Sequence, residues 1–518
     1  MGAWLRSLAG RRADLAACLL GAASALALPP FCLPPVLLIA IPGLLTLTSP
    51  EAAGGWRTTF RRGFLFGFGH HLVGLYWVTN AILVMASSFW WAVPLAVPLL
   101  AAVLALFIAV PCLVARAAAP GWRRVLLLAG AWTLSDIARQ FVLSGFPWNP
   151  LGSTWEMQGL AGDIMIQPAS WVGVHGLTLA TLILAATPAL GARAMAAGAV
   201  VLVAWAGAGL ARLHQPEPAA PGITVVIAQG NIPEQAVRTR KWALDTFARY
   251  LELTRQGVAA ANGGRLVVVW PETASPFLLP EDAPARAAIA EAAGPALATL
   301  AGTVRFDAAG QPHNSLVAIL PQGDIAATYD KAHLVPFGEY EPGYLPIRIA
   351  PQGFAPGNGV ATEHVEGLPA FGALICYEAI FPAQVVDEAD RPDWLVNITN
   401  DAWFGNSTGP RQHLAAARMR AVEEGLPLVR AANTGISTVF DARGHELGRL
   451  GLLRSGTLAL DLPGKRPPTP FSRLRLAAPG LLALACCVLG AGLGRRRLNT
   501  HTWTAKRPKT WNLWSKRV

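Results

Sequence analysis

Charge is what this chain has least of: 14% of its 518 residues are Asp, Glu, Lys or Arg, against roughly 25% in an ordinary soluble domain. With 53% hydrophobic residues and a positive mean hydropathy, that shortage argues against a soluble enzyme. Cysteine is sparse too, six residues in all, and no Cys/His group has metal-ligand spacing, so no metal and no other cofactor is expected. No internal repeat and no nucleotide-binding glycine loop stands out. The length corresponds to about three domains.

The net charge of +11 is unevenly spread. Residues 214–465 balance at −7, and the remainder at +18. The basic excess therefore travels with the apolar parts, where membrane topology explains it better than a nucleic-acid partner does.

Five windows, 15–50, 63–115, 164–192, 194–211 and 476–494, contain no Asp, Glu, Lys or Arg. A spanning helix needs about 20 mostly apolar residues, so the first two windows hold two spans each. Pro29-Pro30 and Ser87-Ser88 divide them, and residues 122–142 add a span interrupted by Asp136 and Arg139. Eight spans are expected, near 13–29, 31–48, 63–85, 90–114, 122–142, 168–189, 194–212 and 477–494. Arg6, Arg11, Arg12, Arg57, Arg61, Arg62, Arg116, Arg123, Arg124, Arg193 and Arg495–Arg497 then share one side. Both termini are expected in the cytoplasm and residues 214–465 outside. The start of the chain also has features of a cleavable signal peptide, ending at Ala25-Leu26-Ala27; an uncleaved first span is expected, because the second follows at once. The division expected is 1–213 (seven spans), 214–465 (outward catalytic domain), 466–496 (eighth span) and 497–518 (a basic tail on the anionic inner leaflet).

From Ile223 the pattern changes to short β-rich runs, ITVVIA, RLVVVW, NSLVAIL, FGALICY, DWLVNIT and STVF, separated by helical stretches at 241–261 and 411–424. That alternation predicts a layered α/β domain. Glu272, Lys331 and Cys376 sit at or just beyond strand ends. Cys376 is expected at a tight turn into a helix starting at Glu378, where backbone N–H groups would favour thiolate. A carboxylate could take the thiol proton, and an ammonium could hold the oxyanion of an attacked carbonyl. Singly, each has a plainer reading: a cysteine after a strand is usually core, a lone Glu or Lys usually surface. The other five cysteines fall in or beside spans, so Cys376 has no disulfide partner within the outward domain.

The motifs WPET, KAHLVPFGEYEP, CYEAIFP, NITNDAWFG and GPRQH…RMRAVE, with QGNI, Lys241-Trp242 and GFPW, resemble the bacterial apolipoprotein N-acyltransferases, membrane members of the nitrilase superfamily, over nearly the whole chain to about residue 495. The resemblance implies an eight-span helical bundle carrying an outward nitrilase-like α-β-β-α sandwich. It implies Glu272 as general base, Lys331 as oxyanion stabiliser and Cys376 as nucleophile, with Glu339, Tyr377 and Glu378 in support. Trp242 and Trp403 match aromatic substrate-contact or loop positions, for which simple packing is the plainer reading. Asp136 and Arg139 stand where the family has an acidic-x-x-Arg pattern, with Asp in place of Glu. Arg430 and Asn433 are read as structural. The implied reaction is ping-pong: Cys376 takes an acyl chain from a phospholipid as a thioester, and the α-amine of an S-diacylglyceryl-cysteine lipoprotein then receives it. Residues 337–354, with Phe337, Tyr340, Tyr344, Leu345 and Ile347, are apolar enough for a lid over the lipid, or for an ordinary packed loop. The expected partners are phospholipid and apolipoprotein, the expected site is the bacterial inner membrane, and a monomer is expected. A membrane-anchored amidohydrolase with the same triad, and a multipass transporter with an accessory domain, are the competing readings.

Overall fold

The computed structural model describes residues 2–83, 90–234, 239–261, 263–343 and 353–492. Twelve strands among them form two six-stranded sheets. The first has the order β12-β1-β2-β3-β4-β5 and the second β11-β10-β9-β8-β7-β6. Their ranges are β1 Thr224–Gln229, β2 Leu266–Val269, β3 Ala298–Phe306, β4 Pro312–Ile319, β5 Ile325–Asp330 and β6 Thr362–Glu363, then β7 Phe371–Ile375, β8 Trp394–Thr399, β9 Leu428–Ala432, β10 Ser437–Phe440, β11 Glu446–Leu450 and β12 Gly456–Asp461. The parallel pairs are β1–β2, β2–β3, β7–β8 and β8–β9. These central strands are covered on both faces, which is why LVVV and WLVNIT read as unbroken runs rather than alternating ones. Val225, Ile227, Val267, Phe371, Ile375, Trp394 and Val396 pack between the sheets.

The outer face of the first sheet lies under helices Arg240–Ala260 and Ala283–Ala293, through Phe247, Tyr250 and Ile289. Helix Gly409–Glu424 covers the second, with Leu414, Ala417 and Ala421 on Leu374, Leu395 and Leu428. Its opposite side sends Met419 and Val422 into a cluster with Trp155, Ile166 and Val174 of the N-terminal half. A helix buried all round is what such two-sided packing produces. The layering is thus α-β-β-α, docked on a helical part.

That helical part comprises Gly10–Ser24, Leu37–Leu47, Trp56–Gly74, Val93–Ala115, Trp122–Arg139, Ala169–Leu190, Ala192–Leu213 and the later Ala477–Ala491. Close approach is enforced by small residues. A Cβ on Gly21 would lie 1.9 Å from the Phe66 carbonyl oxygen, and one on Gly69 2.1 Å from that of Cys18. Three helices among the described residues are long and apolar enough to cross a membrane: Trp90–Ala115, Ala169–Leu190 and Ala192–Leu213. Pro34–Leu47 and Ala477–Ala491 are apolar but shorter. The other expected spans fall on helices that begin among arginines (Arg11, Arg57, Arg123) and stop early: Gly10–Ser24 ends before Pro29-Pro30, and Trp56–Gly74 ends well short of residue 85. Ala192–Leu213 leaves Val200, Val201 and Val203 exposed, an apolar surface suited to hydrocarbon and costly in water.

Candidate active site

Glu272 follows β2 in a turn where Thr273 has φ +46°. Trp270 anchors the approach by donating its N–H to the Leu300 carbonyl at 2.8 Å. Gly302 of β3 lies so close beneath that a Cβ there would stand 2.2 Å from the Pro271 oxygen. The Glu272 carboxylate is buried. Oε2 accepts from the Asn400 N–H at 2.7 Å, and Oε1 from Asn314 Nδ2 at 2.8 Å and Lys331 Nζ at 3.2 Å.

Lys331 comes directly after β5 and is 1% exposed. Its Nζ also reaches Glu339 Oε1 at 2.8 Å. Burial works against the ammonium, but the carboxylates of Glu272 and Glu339 outweigh it and hold Lys331 above its ordinary range. Glu339 is fixed in turn by the Val335 N–H at 2.8 Å and Asn314 Nδ2 at 2.9 Å. Asn314 therefore ties the two glutamates together, and its carbonyl accepts the Lys331 N–H at 2.8 Å.

Cys376 directly follows β7 with φ +52°, a left-handed conformation rare for a residue with a Cβ. It opens a five-residue 3-10 turn, Cys376–Ile380, and not the longer helix expected from Glu378. The reason is local: Glu378 turns inward. Its Oε1 accepts from Tyr329 Oη at 2.8 Å and from the Ala332 and His333 N–H groups at 2.7 and 3.1 Å. Its Oε2 accepts from the Ile375 N–H at 2.7 Å. One carboxylate thus pins the Cys376 turn to the Lys331 loop. Without a helix end, burial and then Glu272 push the thiol well above its ordinary range, against the pull of Lys331. Burial thus works against the thiolate that the expected helix end would have favoured.

Tyr377 points the other way, donating to the Gly145 carbonyl at 2.7 Å and stacking on Phe146. It is the seam between the sandwich and the helical half. Trp403 is half-buried in the 3-10 turn Asp401–Phe404, just after Asn400. Trp242 is half-buried in the first turn of its helix, its N–H capped by Thr239 Oγ1 at 3.1 Å. Tyr344 and Leu345, with half of the expected lid, lie outside the described residues. Asp136 and Arg139 form a buried pair at 3.5 Å.

The comparisons with known proteins agree over most of the chain. The family described as Apolipoprotein N-acyltransferase N-terminal domain matches residues 20–187, and Carbon-nitrogen hydrolase matches 224–465. The chain is 38% identical over 516 residues to an apolipoprotein N-acyltransferase of Rhodopseudomonas palustris, covering 92% of this chain and 94% of the relative. The chain belongs to the apolipoprotein N-acyltransferase family. Another member, from Rhizobium meliloti, is 38% identical over 485 residues, covering 88% of each.

Arg430 and Asn433, read as structural from the sequence, belong to a second buried cluster whose other members the sequence reading did not name. Asp401 accepts from Arg430 Nη2 at 2.8 Å and Thr399 Oγ1 at 3.1 Å, and His413 Nδ1 lies 2.9 Å from it. Arg430 also donates to Asn397. Asn433 Nδ2 donates to the Ile232 carbonyl at 2.7 Å and to Asn400 Oδ1 at 3.0 Å. The available signal was polarity inside apolar runs: Asn397 in WLVNIT and Arg430 in LVRAA are charged or polar residues on strands buried throughout.

Proposed function

We propose that this protein takes an acyl chain from a membrane phospholipid onto Cys376 and transfers it to the N-terminal amine of an S-diacylglyceryl-cysteine apolipoprotein. The observation that carries this reading is a buried Glu272–Lys331–Glu339 cluster acting on a strained thiol, in a chain whose other half is apolar helix.

Burial and then Glu272 raise the thiol, so its proton leaves as it attacks. Glu272 accepts that proton while sulfur bonds to the ester carbonyl carbon, and the Lys331 ammonium offsets the charge gathering on oxygen. Collapse expels the lysophospholipid alkoxide, which takes the proton back from Glu272. The acceptor amine then attacks the thioester, gives a proton to the freed carboxylate, and releases the sulfur. Glu339 and Asn314 keep Lys331 and Glu272 in register through both halves. Glu378 braces the turn, Tyr377 ties it to the helical half, and Trp242, Trp403, Tyr344 and Leu345 are the residues proposed to contact the substrates.

The lipid donor requires membrane placement. Drawing a sixteen-carbon chain into water costs on the order of 12 kcal/mol at about 0.8 kcal/mol per CH₂. The reading therefore includes eight spans, seven within 1–213 and one within 466–496. Residues 214–465 form the periplasmic catalytic domain, 497–518 a cytoplasmic tail, and 337–354 a lid toward lipid; the protein works as a monomer. The basic residues on one side of the spans support this orientation.

The test is to incubate purified protein with phospholipid and no acceptor. A hydroxylamine-labile acyl adduct on the Cys376 peptide is expected, with one lysophospholipid released per adduct. Adding a diacylglyceryl peptide should discharge the adduct as an amide. Free fatty acid as the principal product would make the protein a hydrolase and end the transferase reading.

A further inference from the structure

The Asp401 cluster touches the nucleophile from two directions, and the mechanism above leaves it without a task. On one side, His413 Nε2 lies 2.9 Å from the Cys376 carbonyl oxygen. A carbonyl only accepts, so Nε2 carries a hydrogen and donates it. On the other side, strand register sets a hydroxyl beside the thiol. In the parallel pair β7–β8, Ile375 lies opposite Ile398, so the next residues, Cys376 and Thr399, are neighbours. Thr399, Asp401, His413 and Arg430 are all fully buried. The approach is tight enough that Gly435 is required, since a Cβ there would stand 2.2 Å from Asp401 Oδ2.

The Thr399 hydroxyl has one hydrogen and two neighbours that could receive it. In this structure the hydroxyl is within donating distance of Asp401, at 3.1 Å, and its other polar neighbour is the Cys376 thiol. When Glu272 removes the thiol proton, the sulfur becomes an anion in a buried site, and a hydroxyl turned toward it would be favoured. Asp401 can release that hydrogen readily, because Arg430 still donates to it. We propose that the Thr399 hydroxyl is a switchable hydrogen-bond donor to the Cys376 sulfur, poised by Asp401, while His413 on the same carboxylate fixes the carbonyl of the nucleophile turn. No net proton transfer is involved: the thiol proton goes to Glu272, and the hydroxyl only exchanges one acceptor for another. Thr399 is then a catalytic residue, and Asp401, His413 and Arg430 are positioning residues. The charged groups facing the sulfur are Glu272, Lys331 and Asp401, with Glu339 behind Lys331.

The inference rests on Cys376 as nucleophile, so its test reads the thiol rather than turnover. Iodoacetamide labelling of the full-length protein is followed on the Cys376 peptide by mass spectrometry across a pH series. Thr399→Val, close in shape but without the hydroxyl, should label about ten-fold more slowly at a given pH, its profile displaced upward by about one unit, the effect of one lost hydrogen bond to a charged group. Thr399→Ser should follow the wild-type profile. His413→Gln, which keeps an N–H donor, should retain most acylation, whereas His413→Leu should lose it by ten-fold or more. Thr399→Ala replaces the valine variant if that one does not fold. A valine or alanine profile superimposed on wild type, or a serine variant as slow as valine, would overturn the proposal. Failure of labelling to abolish acylation would instead remove Cys376 as nucleophile and so sink the function proposed above.

Discussion

Lys331 keeps its ammonium where burial alone would remove it, and two carboxylates are the cause. Its charge is therefore held against burial, and the pH dependence of acylation should follow the thiol, which burial raises. Lys331→Met removes the oxyanion partner and leaves two buried glutamates facing each other. Acylation from phospholipid should fall by about two to three powers of ten, read as adduct formed per unit time, while Cys376→Ala forms none. A second residue-scale expectation concerns Asp401. Burial would raise its carboxyl, but Arg430 and then His413 bring it down to about 2. A depressed carboxyl stabilises the fold above its unfolded value near 3.9, and loses that contribution as pH falls toward its folded value. Asp401→Asn should cost roughly 3–5 kcal/mol at neutral pH by stranding Arg430. The gap in melting temperature between it and wild type should narrow as the pH is lowered from about 4 to 2; a constant gap would mean the loss is steric.

At the scale of elements, the site depends on how closely β3 runs beneath the Glu272 turn. Gly302→Ala must push the Pro271–Thr273 backbone outward, because its Cβ would sit 2.2 Å from one backbone atom and 2.6 Å from another. Acylation should drop ten-fold or more with the fold retained, since a misplacement of about 1 Å at a reacting group costs about a hundred-fold; circular dichroism and adduct formation measured together check this. The strands bearing the site were legible as apolar runs, and six of them, β1, β2, β4, β7, β8 and β10, correspond to ITVVIA, RLVVVW, NSLVAIL, FGALICY, DWLVNIT and STVF. Others escaped for physical reasons. In β3 the residues are mostly small; β5 and β11 alternate with solvent at or near the edges; and β9 is interrupted by Arg430, whose charge is cancelled only by Asp401 from a distant segment. Glu272, Lys331 and Glu339 could be picked out by motif. Asn314 could not, because nothing in its neighbourhood shows that it bridges two glutamates. The helix expected after Cys376 failed because local pattern cannot show that Glu378 serves the Lys331 loop.

For the whole molecule, the proposed orientation makes a direct demand. A reporter active only outside the cytoplasm should work when fused after residue 215 and be silent after Arg497; the opposite pattern would put the site on the wrong side for its acceptor. The two halves are not joined by a simple tether. Gln412 Oε1 accepts from Trp77 Nε1 and Trp148 Nε1, both at 2.9 Å, and its Nε2 donates to the Pro29 and Gly74 carbonyls at 3.1 and 3.3 Å. The Val174 N–H is held at 2.7 Å by Glu423 of the same helix.

Gln412 and His413 are consecutive residues, one gripping the helical half and the other the carbonyl of Cys376. The bundle is accordingly part of the instrument that aims the sulfur. Residues 214–465 expressed without it would lose four partners at Gln412 alone and bare the Trp77-facing end of the helix that aligns the thiol. A soluble fragment of this enzyme would keep every group needed to form a thioester and lose the alignment that makes the attack productive.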